Sequence, residues 1–531
     1  LNGRKILIRG GGWVDNLFLD NTYENYEAQI RYAKHMNLNT IRLEGFWGNN
    51  EDLYNLCDEN GILLMAGWSC QWEWPASLGK ETDQYGGIKS PEDILLISKS
   101  WKDQIKWLRN HPSIFLWLYG SDMTPRPELE SRYQEILKAE DPTRPFLAAA
   151  SSRNSIVTGK TGVKMLGPYD YVTPNYWYID TKFGGAYGFN TETGPGPQVP
   201  PVESVRKMIP QDSLWPIGKI YDYHCGGNAF NTLDRYNEMM DQRMGKPASI
   251  EEYCQKAQFL NYEGMRAMFE AFAANRYKAT GVIQWMYNSA WPKFWWQLYD
   301  YYLMPNGAFY GARKACEPLH IQYNYGTNGV DLVNNTAKDY KDLRAVIRIF
   351  DSKMKERYSK ELSLKAKADK KENLELLPAP GDYGTTYFLD LRLYDKDKKT
   401  VSNNFYCLSS KSDILDSAKT NWYVTPAREY GDFTELNRLQ DVKLTVKHHF
   451  KKAGEKEFVT VELNNPTDKL AFLVDLSLLN KKNGESILPI FWDDNYFSLL
   501  PGEKRTVSGY YYTKNAEGVS PELKISGWNI K

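Results

Sequence analysis

The chain has 531 residues, in which 66 Lys plus Arg balance 66 Asp plus Glu. That length exceeds one ordinary core and divides into about two to four domains, and zero net charge with no long like-charge block argues against nucleic acid or an anionic membrane as partner. Apolar runs such as GILLMAGW and SIFLWLYG fall far short of the ~18–20 residues that span a bilayer; six scattered cysteines without a C-x-x-C pair build neither a disulfide framework nor a zinc ribbon.

In chain order, short β-branched or aromatic runs alternate with helical patterns. ILIRGG precedes YENYEAQIRYAKHMN, and TIRLEG precedes NNEDLYNLCDENG, with an Asn cap and a Gly stop. ILLMAGW is followed by PEDILLISKSWKDQIKWLRN and IFLWLYGSD by PELESRYQEILKAED. FLAAASS, YVTPNY, FNTETG and GVIQWMYNS complete eight candidate strands in about 300 residues, which predicts a (β/α)8 TIM barrel over 1–325 rather than a doubly wound sheet. The glycines Gly10–Gly12 lack dinucleotide-fingerprint spacing and are expected to form a tight turn at the barrel mouth.

After YGTNG the pattern changes to alternating strands such as LRAVIRIF, TTYFLDLRLY, VKLTVKHHF and RTVSGYYYT with no helices between them. This predicts two immunoglobulin-like β-sandwiches, over 326–430 and 431–531.

Barrel enzymes place their chemistry at the C-terminal ends of the strands. That filter selects Arg42 and Glu44 after the second strand, Trp68 after the third, Asp122 after the fourth, Tyr176 after the sixth, Glu192 after the seventh, and Trp285 with Asn288 on the eighth. Asp122 and Glu192 are the pair that matters, because glycoside hydrolysis needs two carboxyl groups flanking one acetal. Taken singly, Asp122 could cap the helix near Pro127 and Glu192 could sit in a solvated loop. Arg42 and Tyr176 are the expected partners holding Glu192 ionised, although Arg42 could equally seal a salt bridge inside the barrel. The aromatics are uneven: 14 of 17 tryptophans lie between Trp13 and Trp296. Trp285, Trp291, Trp295 and Trp296 form the densest cluster, suited to the apolar faces of sugars, with most of it serving as core. The six histidines show no H-x-x-x-H spacing and no G-x-S-x-G elbow is present, so neither a metal nor a serine nucleophile is expected.

Several of these segments are similar to glycoside hydrolase family 2. NGRKILIRGGGW resembles its barrel-opening segment, MNLNTIRLEGFWGNNEDLYNLCDENGILLMAGW its second and third units, and RNHPSIFLWLYGSD its fourth-strand signature. Gly-Ser-Asp in place of Gly-Asn-Glu resembles the exo-β-D-glucosaminidase branch, with β-mannosidases as the sister group. The resemblance continues through YDYVTPNYWY, WMYNSAW and WQLYDYYLMPNGAFYGARKACEPLHIQY to DDNYFSLLPGE and ISGWN.

The resemblance implies a retaining exo-β-glycosidase without a cofactor, in which Glu192 is the nucleophile and Asp122 the general acid/base. It also implies an oligosaccharide substrate, a periplasmic or secreted location, and N-terminal sandwich domains as partners, which this sequence does not contain. Asn16 and Ser69 stand where the glucosaminidase branch grips a sugar ammonium with carboxylates; neutral groups cannot neutralise that cation, and Glu44, Asp15 or Glu73 would have to do so. A β-mannosidase, or a carbohydrate-binding protein without catalysis, is the alternative.

Overall fold

The computed structural model describes residues 1–45, 50–68, 73–74, 79–516 and 518–531. Its N-terminal part is built on strands β1 (Ile8–Trp13), β2 (Thr40–Leu43), β3 (Leu63–Gly67), β4 (Ile114–Leu118), β5 (Phe146–Leu147), β6 (Gly188–Thr193) and β7 (Ala279–Gln284). All pairs are parallel, in the order β5-β4-β3-β2-β1-β7-β6. Helices α1 (Tyr23–His35), α2 (Asp52–Asn60), α3 (Pro91–Leu108) and α4 (Pro127–Glu140) follow the first four strands. Local chemistry sets their ends. The Thr22 and Ser90 hydroxyls accept the N–H groups of Asn25 and Asp93 at the starts of α1 and α3, and α2 stops at Gly61, whose φ of 69° is left-handed. On α1 the buried face runs through Tyr26, Ile30 and Ala33, the helical repeat that turns one side to the sheet.

Two expectations are corrected here. YVTPNY is not the sixth strand: residues 171–175 are irregular and Tyr176–Ile179 is a short helix. The place beside β6 is taken by the preceding segment, where Lys164 pairs with Asn190 and Thr193 Oγ1 donates to the Gly167 carbonyl at 2.6 Å. Thr191 Oγ1 reaches the Ala150 carbonyl at 2.7 Å and the Thr191 N–H donates to the Lys164 carbonyl at 2.9 Å, so side-chain and isolated backbone hydrogen bonds complete the wall between β5 and β6. Pro168 and Pro174 remove N–H donors from this stretch, which suits it poorly to a regular ladder. Nor do Gly10–Gly12 form a turn, since they lie inside β1. A Cβ on Gly10 would stand 2.1 Å from the Thr40 carbonyl oxygen, and one on Gly12 would stand 2.8 Å from Cε3 of Trp285. Close approach of neighbours, rather than backbone flexibility, requires glycine here.

Helix α5 (Ile250–Ala274) is buried almost all round because the sandwiches cover what the barrel does not. Its Arg266 donates to Asn404 Oδ1 and the Phe405 carbonyl, each at 2.8 Å. Those acceptors belong to the sandwich made of a three-stranded sheet (319–324, 329–334, 371–376) and a four-stranded sheet (340–351, 356–366, 386–394, 400–409). Its first strand thus precedes the boundary expected at 325. The C-terminal sandwich pairs a four-stranded sheet (445–453, 456–464, 490–492, 504–512) with a three-stranded one (471–480, 497–499, 521–526). It docks on α1, where the Ile490 N–H donates to the Tyr32 hydroxyl at 3.2 Å and the Phe491 and Tyr32 rings meet at 5.1 Å.

Candidate active site

The open end of the barrel gathers side chains from β2, β4 and β6. In β2 the alternation of a buried strand turns Ile41 and Leu43 to one side and Arg42 to the other, so a guanidinium with no solvent exposure enters the barrel. Its Nη1 donates to Glu192 Oε2 at 2.6 Å and to the Thr191 carbonyl at 3.1 Å; its Nη2 donates to Ser121 Oγ at 2.9 Å. Ser121 Oγ in turn donates to Glu44 Oε1 at 3.2 Å, and Glu44 lies 3.7 Å from Nη2. One buried cation therefore ties the ends of β2, β4 and β6 together.

Glu192 is only 8% exposed. Burial raises its carboxyl from the usual 4.5 to about 7; Arg42 opposes that shift, while the charges of Glu44 and Asp122 add to it. The expected effect of Arg42 is present, yet desolvation outweighs it. Because Asp122 contributes to that balance, the two carboxyl groups share one electrostatic environment.

Asp122 is held differently. Its carboxylate is partly exposed and accepts the Trp74 indole N–H at 2.9 Å. Its backbone is anchored at both ends: the N–H donates to Glu73 Oε2 at 2.7 Å, and the carbonyl accepts from Ser151 Oγ at 2.8 Å and Arg153 Nε at 2.6 Å. Glu73 also accepts the Ser121 N–H at 2.7 Å. Burial carries Glu73 to about 8, against the lowering effect of these backbone donors. Asp122 does not cap α4, whose N-cap is Arg126.

Tyr176 is not the donor to Glu192. It is buried, and its hydroxyl accepts the Gly184 N–H at 3.0 Å. Tyr169 stands nearer that place: burial, reinforced by the charge of the neighbouring Glu192 carboxylate, holds its hydroxyl well above the usual range and so protonated, able to donate. The missed tyrosine lies in GPYDY, a few residues upstream of the segment read as strand; a shift of the assumed register was the only available signal.

The remaining candidates divide. Trp285 lies beside the cluster, with the Arg42 guanidinium 5.7 Å from its ring. Asn16 is half-buried on the turn after β1, where Nδ2 donates to the Tyr301 hydroxyl at 3.4 Å. Asn288 is not available to a ligand: its side chain accepts the Val14 N–H at 2.8 Å and donates to the Val14 carbonyl at 2.9 Å and to Gln29 Oε1 at 2.8 Å. Trp291 stacks on His224 at 5.4 Å and meets Tyr223 edge-on. Ser69 lies outside the described residues. Among the described residues no group of three His, Cys, Asp or Glu is placed to hold a metal ion.

Residues 1–165 match the family described as "Glycosyl hydrolases family 2, TIM barrel domain", and residues 422–530 match "Exo-beta-D-glucosaminidase Ig-fold domain". The barrel segment is thus a glycoside hydrolase family 2 domain. The chain is similar over its whole length to the exo-β-D-glucosaminidase of Streptomyces avermitilis, at 38% identity and over 60% of that protein. It is similar to the mannosylglycoprotein endo-β-mannosidase of Lilium longiflorum at 26% identity, over 63% of that protein. Its fold superimposes with a TM-score of 0.94 on exo-chitosanase CsxA of Amycolatopsis orientalis, solved as a variant with PNP-β-D-glucosamine; identity is 35%, covering 100% of this chain and 64% of that one. The chain thus spans less than two thirds of each of these relatives.

Proposed function

We propose that the protein is a retaining exo-β-glycosidase of the exo-β-D-glucosaminidase type. The observation that carries this reading is the placement of Asp122 and Glu192 at the ends of β4 and β6, with Arg42 bonded both to Glu192 and to Ser121 next to Asp122. The relatives support it through the activities in their names.

Role follows from environment. Glu192 is pinned against the barrel wall and shielded from water, which suits direct attack better than activation of bulk water. A carboxylate oxygen of Glu192 bonds to the anomeric carbon as the C1–O bond to the leaving group breaks, and that oxygen takes the Asp122 proton. Water then attacks C1, gives its proton to Asp122, and displaces Glu192 as carboxylate. Asp122, partly exposed at the rim, can meet both leaving group and water. Arg42 and Tyr169 supply donors to the displaced carboxylate.

A β-mannosidase is the second reading, favoured by the neutral amide of Asn16 at the end of β1, which cannot balance a 2-ammonium. A panel of nitrophenyl β-glycosides with 2-amino, axial 2-hydroxyl and equatorial 2-hydroxyl groups decides between the two. For catalysis itself, a 2-fluoro glycosyl fluoride should add one sugar mass to the wild type at Glu192 and none to Glu192→Gln. An unlabelled wild type that still binds sugar would make the protein a lectin-like binder.

A further inference from the structure

The turn at residues 420–425 lies between the two sandwiches, yet it packs on the barrel mouth. Asn421 Oδ1 accepts the N–H groups of Tyr423 and Val424, each at 3.0 Å, and the Asn421 N–H donates to the Val424 carbonyl at 3.0 Å. The Thr420 and Thr425 hydroxyls close its base at 3.1 Å. The barrel grips it from the other side: the Tyr423 carbonyl accepts the Tyr169 N–H at 2.7 Å, and Arg235, 3.3 Å from Asp170, lies 5.5 Å from the Tyr423 ring. A turn bonded internally and anchored externally presents its tip in one orientation.

That tip is Trp422, 64% exposed. Its ring meets Tyr169 at 6.0 Å and 53°, Phe230 at 5.7 Å and 79°, and Tyr423 at 5.1 Å and 73°. These contacts are tilted or edge-to-face rather than flat stacks, and with 64% of the residue exposed much of the indole is open to solvent or ligand. Tyr169, one of those neighbours, is the tyrosine whose buried hydroxyl feels the charge of Glu192. Trp422 is therefore one aromatic ring removed from the nucleophile, on the rim rather than in the pocket.

Resting on the exo-glycosidase reading above, we propose that Trp422 is a stacking platform for the leaving side of the substrate. The sugar bearing the scissile bond occupies the pocket between Glu192 and Asp122, so only a chain extending beyond it reaches the rim, and in exo attack that chain is the leaving group. The ligand class is a β-linked oligosaccharide whose apolar C–H face packs on the indole. The C-terminal part of the chain thereby supplies a recognition element to the barrel.

The test compares a trisaccharide with the β-glycosyl fluoride of the same sugar, the sugar being whichever the wild type cleaves. In Trp422→Ala the ratio of kcat/KM for trisaccharide to that for fluoride should fall about ten-fold, with the loss mainly in KM, and Trp422→Phe should recover most of it. Trisaccharide affinity measured by calorimetry in the Glu192→Gln background should fall by a similar factor when Trp422→Ala is added. Because both substrates meet the same folded fraction, the ratio is insensitive to any loss of stability. An unchanged ratio with an active wild type overturns the platform alone, whereas a wild type that cleaves neither substrate overturns the glycosidase reading and the platform with it.

Discussion

Arg42 Nη1 and Glu192 Oε2 lie 2.6 Å apart, with the guanidinium wholly buried and the carboxylate nearly so. A cation is retained at that depth because it meets the carboxylates of Glu192 and Glu44, a carbonyl and a hydroxyl. The arrangement tunes the group that the proposed reaction needs ionised. Its two members stand 150 positions apart in the chain.

Removing the cation should raise the carboxyl of Glu192 further, since Arg42 is what opposes its burial. Arg42→Gln is expected to lower kcat/KM by about 100-fold or more and to move the acid limb of its pH profile upward from about 7. A pH series of kcat/KM on an aryl glycoside checks both; an unmoved limb would separate Arg42 from Glu192.

The Tyr169 hydroxyl, kept protonated beside the same carboxylate, can donate to it and stabilise its charged form. Tyr169→Phe should retain the ring contacts with Phe230 and Trp422 while lowering kcat by about 10- to 100-fold, again with the acid limb shifted upward. Tyr176→Phe, which loses one hydrogen bond to the Gly184 N–H away from Glu192, should leave that limb in place. Equal limbs in the two variants would show that the exchange of tyrosines is mistaken.

Glu192 also makes stability depend on pH. Its folded carboxyl titrates near 7 and the unfolded one near 4.5, so between those values the folded state holds the extra proton. Folding stability should therefore fall as pH rises through that window and level off above it. In Glu192→Gln this dependence is gone. The Tm difference, variant minus wild type, should grow more positive by roughly 2–4 °C from pH 5 to pH 8; a constant difference would mean that the carboxyl is not raised.

A methyl group at Gly12 would meet the Trp285 ring and one at Gly10 the Thr40 backbone. Gly10→Ala should destabilise by several kcal/mol, roughly 2–4, because a carbonyl in a parallel ladder cannot move aside. Gly12→Ala displaces a side chain instead, and should cost less stability but more activity, since that ring borders Arg42. Thermal melts and initial rates on the two variants distinguish these effects.

Much of this architecture is visible in the order of residues alone. Parallel strands buried on both sides read as short apolar runs, helices between them carry caps and a 3.6-residue repeat, and the change to alternation near residue 325 announces the sandwiches, although their first strand, 319–324, lies before it. The polar ends of those strands single out Arg42, Asp122 and Glu192, because a charge closing an apolar run is costly unless it has a partner. What the residue order could not decide is what happens where repeating structure stops. The wall beside β6 is completed by a single backbone bridge at Lys164 and by hydroxyl-to-carbonyl bonds rather than by a regular strand, and the tyrosine beside Glu192 is Tyr169 rather than Tyr176. Asn288 turned out to brace Val14, and Trp422 reached the barrel mouth from more than two hundred residues away in the chain. Periodicity encodes which face a side chain takes along its own element. Partners between irregular segments depend on how whole domains dock, and only the folded coordinates carry that information.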